Sequence, residues 1–125
     1  MIRAAVIGLG WWGQTILKSL LNNTVISPVL AVDPLDQARA AASALGVETA
    51  PRFENALANS NVDAVILCTP QERHAEQIVA AARSGRHVFC EKPLCTTSAD
   101  AEAAIAAVRK AGVQLGDAFC FQVAE

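Results

Sequence analysis

The most constraining feature of this chain is a set of three glycines directly behind an apolar run at its start. Residues 2–7 are mostly apolar, and a G-x-G-x-x-G pattern follows them. In a strand–turn–helix unit the first glycine permits a tight turn, the second lets a pyrophosphate approach the backbone, and the third lets the helix pack closely. The phosphates then lie at the helix N-terminus, where unpaired N–H groups favour negative charge. The pattern therefore predicts a dinucleotide-binding loop formed by Gly8, Leu9, Gly10, Trp11, Trp12 and Gly13.

An acidic residue at the end of a second apolar run supports this prediction. Asp33 lies twenty residues after Gly13 and directly follows residues 29–32, all of them apolar. A carboxylate there can accept hydrogen bonds from an adenosine ribose. It would repel a 2′-phosphate, so NAD is expected to bind in preference to NADP. An alternative role for Asp33 is a helix N-cap, because Pro34 suits the first helical position, and both roles can hold together.

Two other nucleotide-binding functions share parts of this pattern. Residues 8–15 nearly match the P-loop pattern G-x-x-x-x-G-K-[ST], but Gln14 stands where the phosphate-binding lysine belongs. A kinase or ATPase is therefore not expected. A methyltransferase that uses S-adenosylmethionine stays open at this point, because it can also combine a glycine loop with a ribose-binding acid.

Apolar β-branched runs alternate along the chain with alanine-rich segments of helical periodicity. Three of these segments end at a glycine suited to a C′ cap, namely Gly46, Gly85 and Gly112. Strands are expected at residues 2–7, 29–32, 47–49, 64–68 and 87–90 and from residue 113. The alternation predicts an α/β fold: a doubly wound parallel sheet (Rossmann fold) of about six strands with helices on both faces.

Length, charge and hydropathy exclude several classes of partner. A chain of 125 residues with a formal net charge of −2 is expected to form one domain without a nucleic-acid surface. No apolar run approaches the roughly 20 residues that span a bilayer, and no signal-peptide pattern precedes the first strand, so we expect a cytoplasmic protein with no membrane partner. The four cysteines lack C-x-x-C spacing and lie mostly in apolar runs, which favours buried thiols and predicts no metal site or disulfide.

Two further motifs follow the fourth and fifth predicted strands and narrow the chemistry. They are Cys68-Thr69-Pro70 with His74, and Glu91-Lys92-Pro93. Together with the glycine loop, and in this order along the chain, they resemble the Gfo/Idh/MocA oxidoreductases, which include glucose-fructose oxidoreductase and inositol dehydrogenases. The resemblance covers residues 1–115.

The resemblance implies a Rossmann domain that binds NAD or NADP, followed by a second domain that supplies most of the substrate pocket. Members typically move a hydride between the nicotinamide and a sugar or polyol hydroxyl. By resemblance, Lys92 is the catalytic lysine at the reacting centre. Physical reasoning agrees, because an ammonium group stabilises the alkoxide character that develops on a substrate hydroxyl. The further cofactor-binding residues that we predict are Thr69, Pro70, His74, Glu91 and Lys92.

Two of these residues also have structural interpretations. Lys92 could be a solvated loop lysine paired with Glu91. His74, on the first turn of a helix, could simply hydrogen-bond the preceding loop.

The chain departs from the family pattern after its last predicted strand. Residues 116–122 lack the Arg-Phe type segment that leads into the substrate domain. We therefore expect residues 1–125 to be an NAD(P)-binding domain without the general acid/base of a substrate domain, and we expect little turnover from this chain alone. The competing hypothesis is a non-enzymatic dinucleotide-binding or interaction module. Phe119 and Phe121 predict an apolar patch and a homo-oligomer.

Overall fold

The computed structural model describes residues 1–91 and 95–117, with the side chain of Asp117 excepted. Six strands and five α-helices alternate within these ranges. The strands are β1 (Ile2–Ile7), β2 (Ile26–Val32), β3 (Thr49–Ala50), β4 (Ala64–Leu67), β5 (His87–Cys90) and β6 (Leu115–Asp117). The helices are α1 (Trp11–Leu20), α2 (Asp36–Ala44), α3 (Phe53–Ala58), α4 (His74–Arg83) and α5 (Ser98–Ala111), and a 3₁₀ turn at Gln71–Arg73 precedes α4.

All six strands belong to one parallel sheet in the order β3-β2-β1-β4-β5-β6. The predicted doubly wound α/β fold is thereby confirmed. The chain leaves β1 toward one edge of the sheet and returns to place β4 on the other side of β1. In such sheets ligands bind outside the carboxyl ends of the strands at the point where the order reverses, which is between β1 and β4 here.

The hydrophobic core lies on both faces of the sheet. On one face Ala5 and Ile7 pack with residues of α3, α4 and α5, and on the other face Ala4 and Val6 pack with residues of α1 and α2. Helices cover both faces, so the middle strands β1 and β4 are apolar on both sides rather than alternating, except for exposed Arg3 near the start of β1. Predicting β1 and β4 from continuous apolar runs therefore succeeds.

The structure corrects several element boundaries. Strand β2 begins at Ile26 and includes Pro28, which pairs with Ala4, and its register with β1 shifts at Val29 directly after the proline. Strand β3 covers Thr49–Ala50 instead of residues 47–49, and β6 begins at Leu115 instead of 113. Helix α3 was not predicted at all, because six residues are too few to show a helical period.

The remaining sequence predictions about the fold have mixed outcomes. Gly46, Gly85 and Gly112 all have positive φ angles just beyond a helix; the first two are at the predicted C′ position, and Gly112 is the C-cap of α5 itself. Cys68, Cys90 and Cys95 are free thiols, but only Cys90 is buried as predicted, whereas Cys68 and Cys95 are half-buried. In the part of the chain that the structure describes, no helix is long and apolar enough to cross a bilayer. The predicted self-association rests on Phe119 and Phe121, which lie outside the described residues.

An ion pair ties the start of β1 to the residue before β4. The Asp63 carboxylate accepts hydrogen bonds from Arg3 Nε at 3.0 Å and Nη2 at 2.9 Å, and from the Arg3 backbone N–H at 2.9 Å. The hydrogen bonds from the Arg3 side chain and then from its backbone hold the pKa of Asp63 at about 2. The carboxylate is therefore favoured in the folded state over the unfolded chain.

This pair predicts a pH-dependent contribution to stability. The pKa of Asp63 is lower in the folded protein than in the unfolded chain, so the contribution is complete above about pH 4 and is lost as the pH falls through about 2. Asp63→Asn is expected to lower the free energy of unfolding at pH 7, by an amount that shrinks below pH 4. Urea unfolding at several pH values measures this, with exposed Glu48→Gln as the control. A deficit in Asp63→Asn that persists unchanged at pH 2 would contradict the prediction.

Candidate dinucleotide-binding site

A cleft of about 670 Å³ opens at the carboxyl ends of β1 to β4. Its walls come from the segments that follow these four strands, at the reversal of strand order between β1 and β4. The structure thus brings together residues that were singled out separately along the sequence. The predicted site residues that line the cleft are Gly8, Gly10, Asp33, Thr69 and Pro70.

Two of the three glycines in the loop are required by the packing of the protein itself. Gly8 has a φ of +94°, and a Cβ there would lie 2.7 Å from the carbonyl oxygen of Cys68. A Cβ on Gly13 would lie only 1.8 Å from the carbonyl oxygen of Gly8. The first glycine therefore makes the tight turn and the third lets α1 approach it, as the spacing predicts.

Gly10 differs from Gly8 and Gly13 because the packing of the described residues does not require a glycine at this position. A Cβ on Gly10 would have no described atom within 4 Å. Gly10 is the N-cap of α1 and, as a glycine, has no side chain that could accept hydrogen bonds from the first N–H groups of that helix. Open space beside uncapped N–H groups suits a phosphate. This part of the loop therefore fits the pyrophosphate of a dinucleotide.

Asp33 connects the loop after β1 to the loop after β2. Its Oδ2 accepts a hydrogen bond from the Leu9 N–H at 2.8 Å, and its Oδ1 accepts one from the Leu35 N–H at 2.9 Å. Its backbone carbonyl accepts a hydrogen bond from Arg39 Nη1 at 2.7 Å. The carboxylate is therefore held in one orientation, and each oxygen retains a lone pair for a ribose hydroxyl.

The alternative role of Asp33 as a helix N-cap is wrong. The N-cap of α2 is Leu35, and the helix begins at Asp36. The Asp33 carboxylate instead bonds the backbone N–H two residues on, which closes an Asx turn around Pro34.

The two tryptophans of the glycine loop lie in different surroundings. Trp11 is 80% exposed, whereas Trp12 is half-buried. Their rings stack with centroids 5.9 Å apart and planes 28° apart. The Trp12 indole N–H is buried and has no acceptor within residues 1–91 and 95–117. Trp12 is thus the more packed of the two rings, and the contact of either ring with a cofactor stays a prediction.

A buried polar network supports the loop after β4. His74 is only 2% exposed, and its Nε2 donates to the Thr69 carbonyl oxygen at 2.9 Å. The Thr69 hydroxyl donates to Oε1 of the buried Gln77 at 2.5 Å. His74 therefore makes the loop contact that its structural interpretation predicts, and it reaches the cleft through Thr69. Sequence reasoning missed Gln77, although its position three residues after His74 places it on the same helical face.

Cys68 and Glu91 lie near one another where β4 and β5 end. Burial raises the pKa of the Cys68 thiol to about 12, and the negative charge of Glu91 adds to this shift. The thiol is therefore protonated at neutral pH. Glu91 directly follows β5 and is half-buried. Lys92 and Pro93 lie outside the described residues, so the catalytic role of Lys92 stays a prediction.

Several further residues line the cleft without having been predicted. Arg52 and Phe53 come from the start of α3, and Arg73 comes from the 3₁₀ turn before α4. Sequence reasoning could not place Arg52 and Phe53 because α3 itself was not predicted. The guanidinium groups of Arg52 and Arg73 place two positive charges at a cleft that also carries the carboxylates of Asp33 and Glu54.

A family profile decides the assignment that these features suggest. Residues 2–119 match the Gfo/Idh/MocA profile, which describes an oxidoreductase family with an NAD-binding Rossmann fold. The chain belongs to this family. The resemblance stated from the motifs is thereby confirmed, and the methyltransferase alternative is wrong.

Individual relatives agree with this assignment. The myo-inositol 2-dehydrogenase of Thermotoga maritima is 36% identical over 121 residues, which cover 94% of this chain and 36% of that protein. A 3-ketoreductase from Actinomadura kijaniata, solved in complex with NADP and TDP-benzene, is 30% identical in sequence and superposes with a TM-score of 0.89. The match covers 97% of this chain and 38% of the 3-ketoreductase chain. A scyllo-inositol dehydrogenase from Lactobacillus casei, solved with NAD(H) and scyllo-inositol, shares the fold at 23% identity with a TM-score of 0.89. The match covers 98% of this chain and 37% of the dehydrogenase chain.

The chain spans about a third of the length of these relatives. The matched part corresponds to the NAD-binding Rossmann domain of the family.

Proposed function

We propose that residues 1–125 form the cofactor-binding domain of an oxidoreductase that transfers a hydride between NAD and a hydroxyl group of a small sugar or polyol. One observation carries the proposal: the Asp33 carboxylate is held on both oxygens beside the glycine loop, at the reversal point of a parallel sheet. A fixed carboxylate beside an open helix N-terminus matches the ribose and pyrophosphate of one dinucleotide.

Different residues of the cleft would bind different parts of the cofactor. The backbone of Gly8, Gly10 and the first turn of α1 would hold the pyrophosphate, and Asp33 would accept hydrogen bonds from the adenosine ribose. Thr69 and Pro70, supported by buried His74 and Gln77, would lie on the nicotinamide side. When bound, NAD supplies the acceptor for a hydride from the substrate carbon.

Lys92 is the proposed catalytic residue for this reaction. It follows β5 by two positions, and Glu91 at the end of that strand is half-buried near Cys68. A lysine ammonium there would stabilise the developing alkoxide of the substrate. Relatives named as inositol dehydrogenases and a 3-ketoreductase support a polyol or sugar as the substrate class. The residues that read the substrate would belong to a second domain, as the length of the relatives suggests.

NADH titration tests the cofactor part of this proposal. Trp11 and Trp12 are the only tryptophans and both begin α1 beside the proposed pyrophosphate site. Saturating NADH is therefore expected to change tryptophan emission, with a midpoint that agrees with calorimetry. S-adenosylmethionine serves as the control ligand and is expected to leave the emission unchanged. Absence of calorimetric binding of both NADH and NADPH at millimolar concentration would refute the proposed function.

A further inference from the structure

Gln14 connects two segments of the site that are far apart in the sequence. It follows Gly13 within α1, and its side-chain Nε2 donates to the carbonyl oxygen of Leu9 at 3.3 Å and to that of Ala38 at 3.2 Å. Leu9 belongs to the glycine loop, and Ala38 lies in the first turn of α2. One carboxamide therefore joins the loop after β1 to the helix after β2.

Asp33, in the loop that leads from β2 into α2, makes a second connection to the glycine loop. The Asp33 carboxylate accepts a hydrogen bond from the Leu9 N–H, while the Gln14 side chain donates one to the Leu9 carbonyl oxygen. Side chains thus hold both polar groups of Leu9, which is itself buried. One hydrogen bond between two segments leaves them free to pivot, whereas two at separate points restrict both distance and angle. Gln14 and Asp33 together therefore define how the glycine loop sits relative to α2.

We propose that Gln14 is a positioning residue for the cofactor, which holds the pyrophosphate-binding loop at the correct distance from the ribose-binding carboxylate. The inference rests on the proposed function. Gln14 does not line the cleft among the described residues, so it acts through Leu9 and not by touching a ligand. A binding constellation must be held to a fraction of an ångström by such supporting groups. The residue that excludes a P-loop thus has a supporting role in a different nucleotide site.

Gln14→Met tests this role, because it removes both donors and keeps an unbranched side chain of similar length. We expect the Kd for NADH and for ADP-ribose to rise together by about 5- to 30-fold, the loss expected for one or two modest hydrogen bonds. ADP-ribose carries both groups whose spacing Gln14 would maintain. Gln37→Met, at an exposed position on α2, is the matched control and should leave both constants unchanged.

Gln14→Glu provides a second readout that does not depend on the first variant folding well. An ionised carboxylate offers no donor to the two carbonyl groups, whereas a protonated carboxyl offers one. The Kd of this variant for NAD, divided by the wild-type Kd at the same pH, is therefore expected to fall as the pH is lowered from 8 to 4, past the ordinary glutamate pKa of about 4.3. Loss of general stability alone would not move this ratio at temperatures well below unfolding.

The possible outcomes separate the inference from the proposed function. Wild-type binding of NADH together with an unchanged Kd in Gln14→Met would overturn the positioning role and leave the proposed function standing. A pH-independent ratio for Gln14→Glu would also overturn it. If the wild-type chain binds no NADH, the proposed function fails first and this inference fails with it.

Discussion

Gly13→Ala is expected to lower the free energy of unfolding by about 3 kcal/mol or more and to abolish NADH binding. The new Cβ would lie 1.8 Å from the carbonyl oxygen of Gly8, far inside van der Waals contact. Gly8 cannot move to relieve this clash, because it already packs against the backbone of Cys68. Helix α1 would have to shift away from the loop, and the loop would lose its geometry. Urea denaturation and calorimetric titration measure the two effects.

Gly10→Ala is the matched control, since it makes the same change three residues earlier. The new Cβ would meet no described atom within 4 Å, and the backbone φ of −71° suits any residue. Its cost in stability should be only about 0.5–1 kcal/mol, from a poorer N-cap. NADH binding should nevertheless weaken by at least about tenfold, because the methyl group would occupy the space proposed for the pyrophosphate. Tight NADH binding by Gly10→Ala would place the phosphates elsewhere, and a fully stable Gly13→Ala would contradict the packing.

Asp33→Asn is expected to remove most of a preference for NADH over NADPH. In the wild-type chain the carboxylate charge would repel a 2′-phosphate by on the order of 2 kcal/mol, which is about a 30-fold difference in Kd. Arg39 is poorly placed to offset this repulsion, because it is engaged by the Asp36 carboxylate and the Asp33 carbonyl. Asparagine keeps the size of the side chain and loses the charge. Cleft-lining Arg52 would then favour the phosphate.

The measurement is the ratio of the two Kd values by calorimetry. NADH should also bind a few-fold more weakly to Asp33→Asn, since an amide cannot accept from both Leu9 and Leu35 as the carboxylate does. Asp63→Asn makes the same substitution at the amino edge of the sheet, and its ratio should equal that of the wild type. A wild-type chain that binds NADPH as tightly as NADH would show that the charge of Asp33 does not select the cofactor.

Much of this site could be predicted from residues that are neighbours in the chain. The turn at Gly8, the close approach at Gly13 and the positions of Asp33 and Thr69 just past strand ends depend on local spacing. A tight turn, a helical period or an apolar strand leaves its mark within a few consecutive residues. The parallel sheet followed from the alternation of such segments, and its carboxyl edge then indicated where the polar residues would meet.

The contacts between segments depended on the packing of the whole domain. Gln14 reaches Ala38 across 24 residues of sequence, and the Thr69 hydroxyl finds Gln77 only because α4 folds back over the end of β4. The same packing brings Arg52 into the cleft and lets Asp33 hold Leu9 instead of capping α2. No local sequence pattern marks such partners, because the distance between two of them in space depends on how the helices pack on the sheet. A glutamine, which the sequence marks only as an absent lysine, acquires its hydrogen bonds when α1 and α2 pack together on the same face of the sheet.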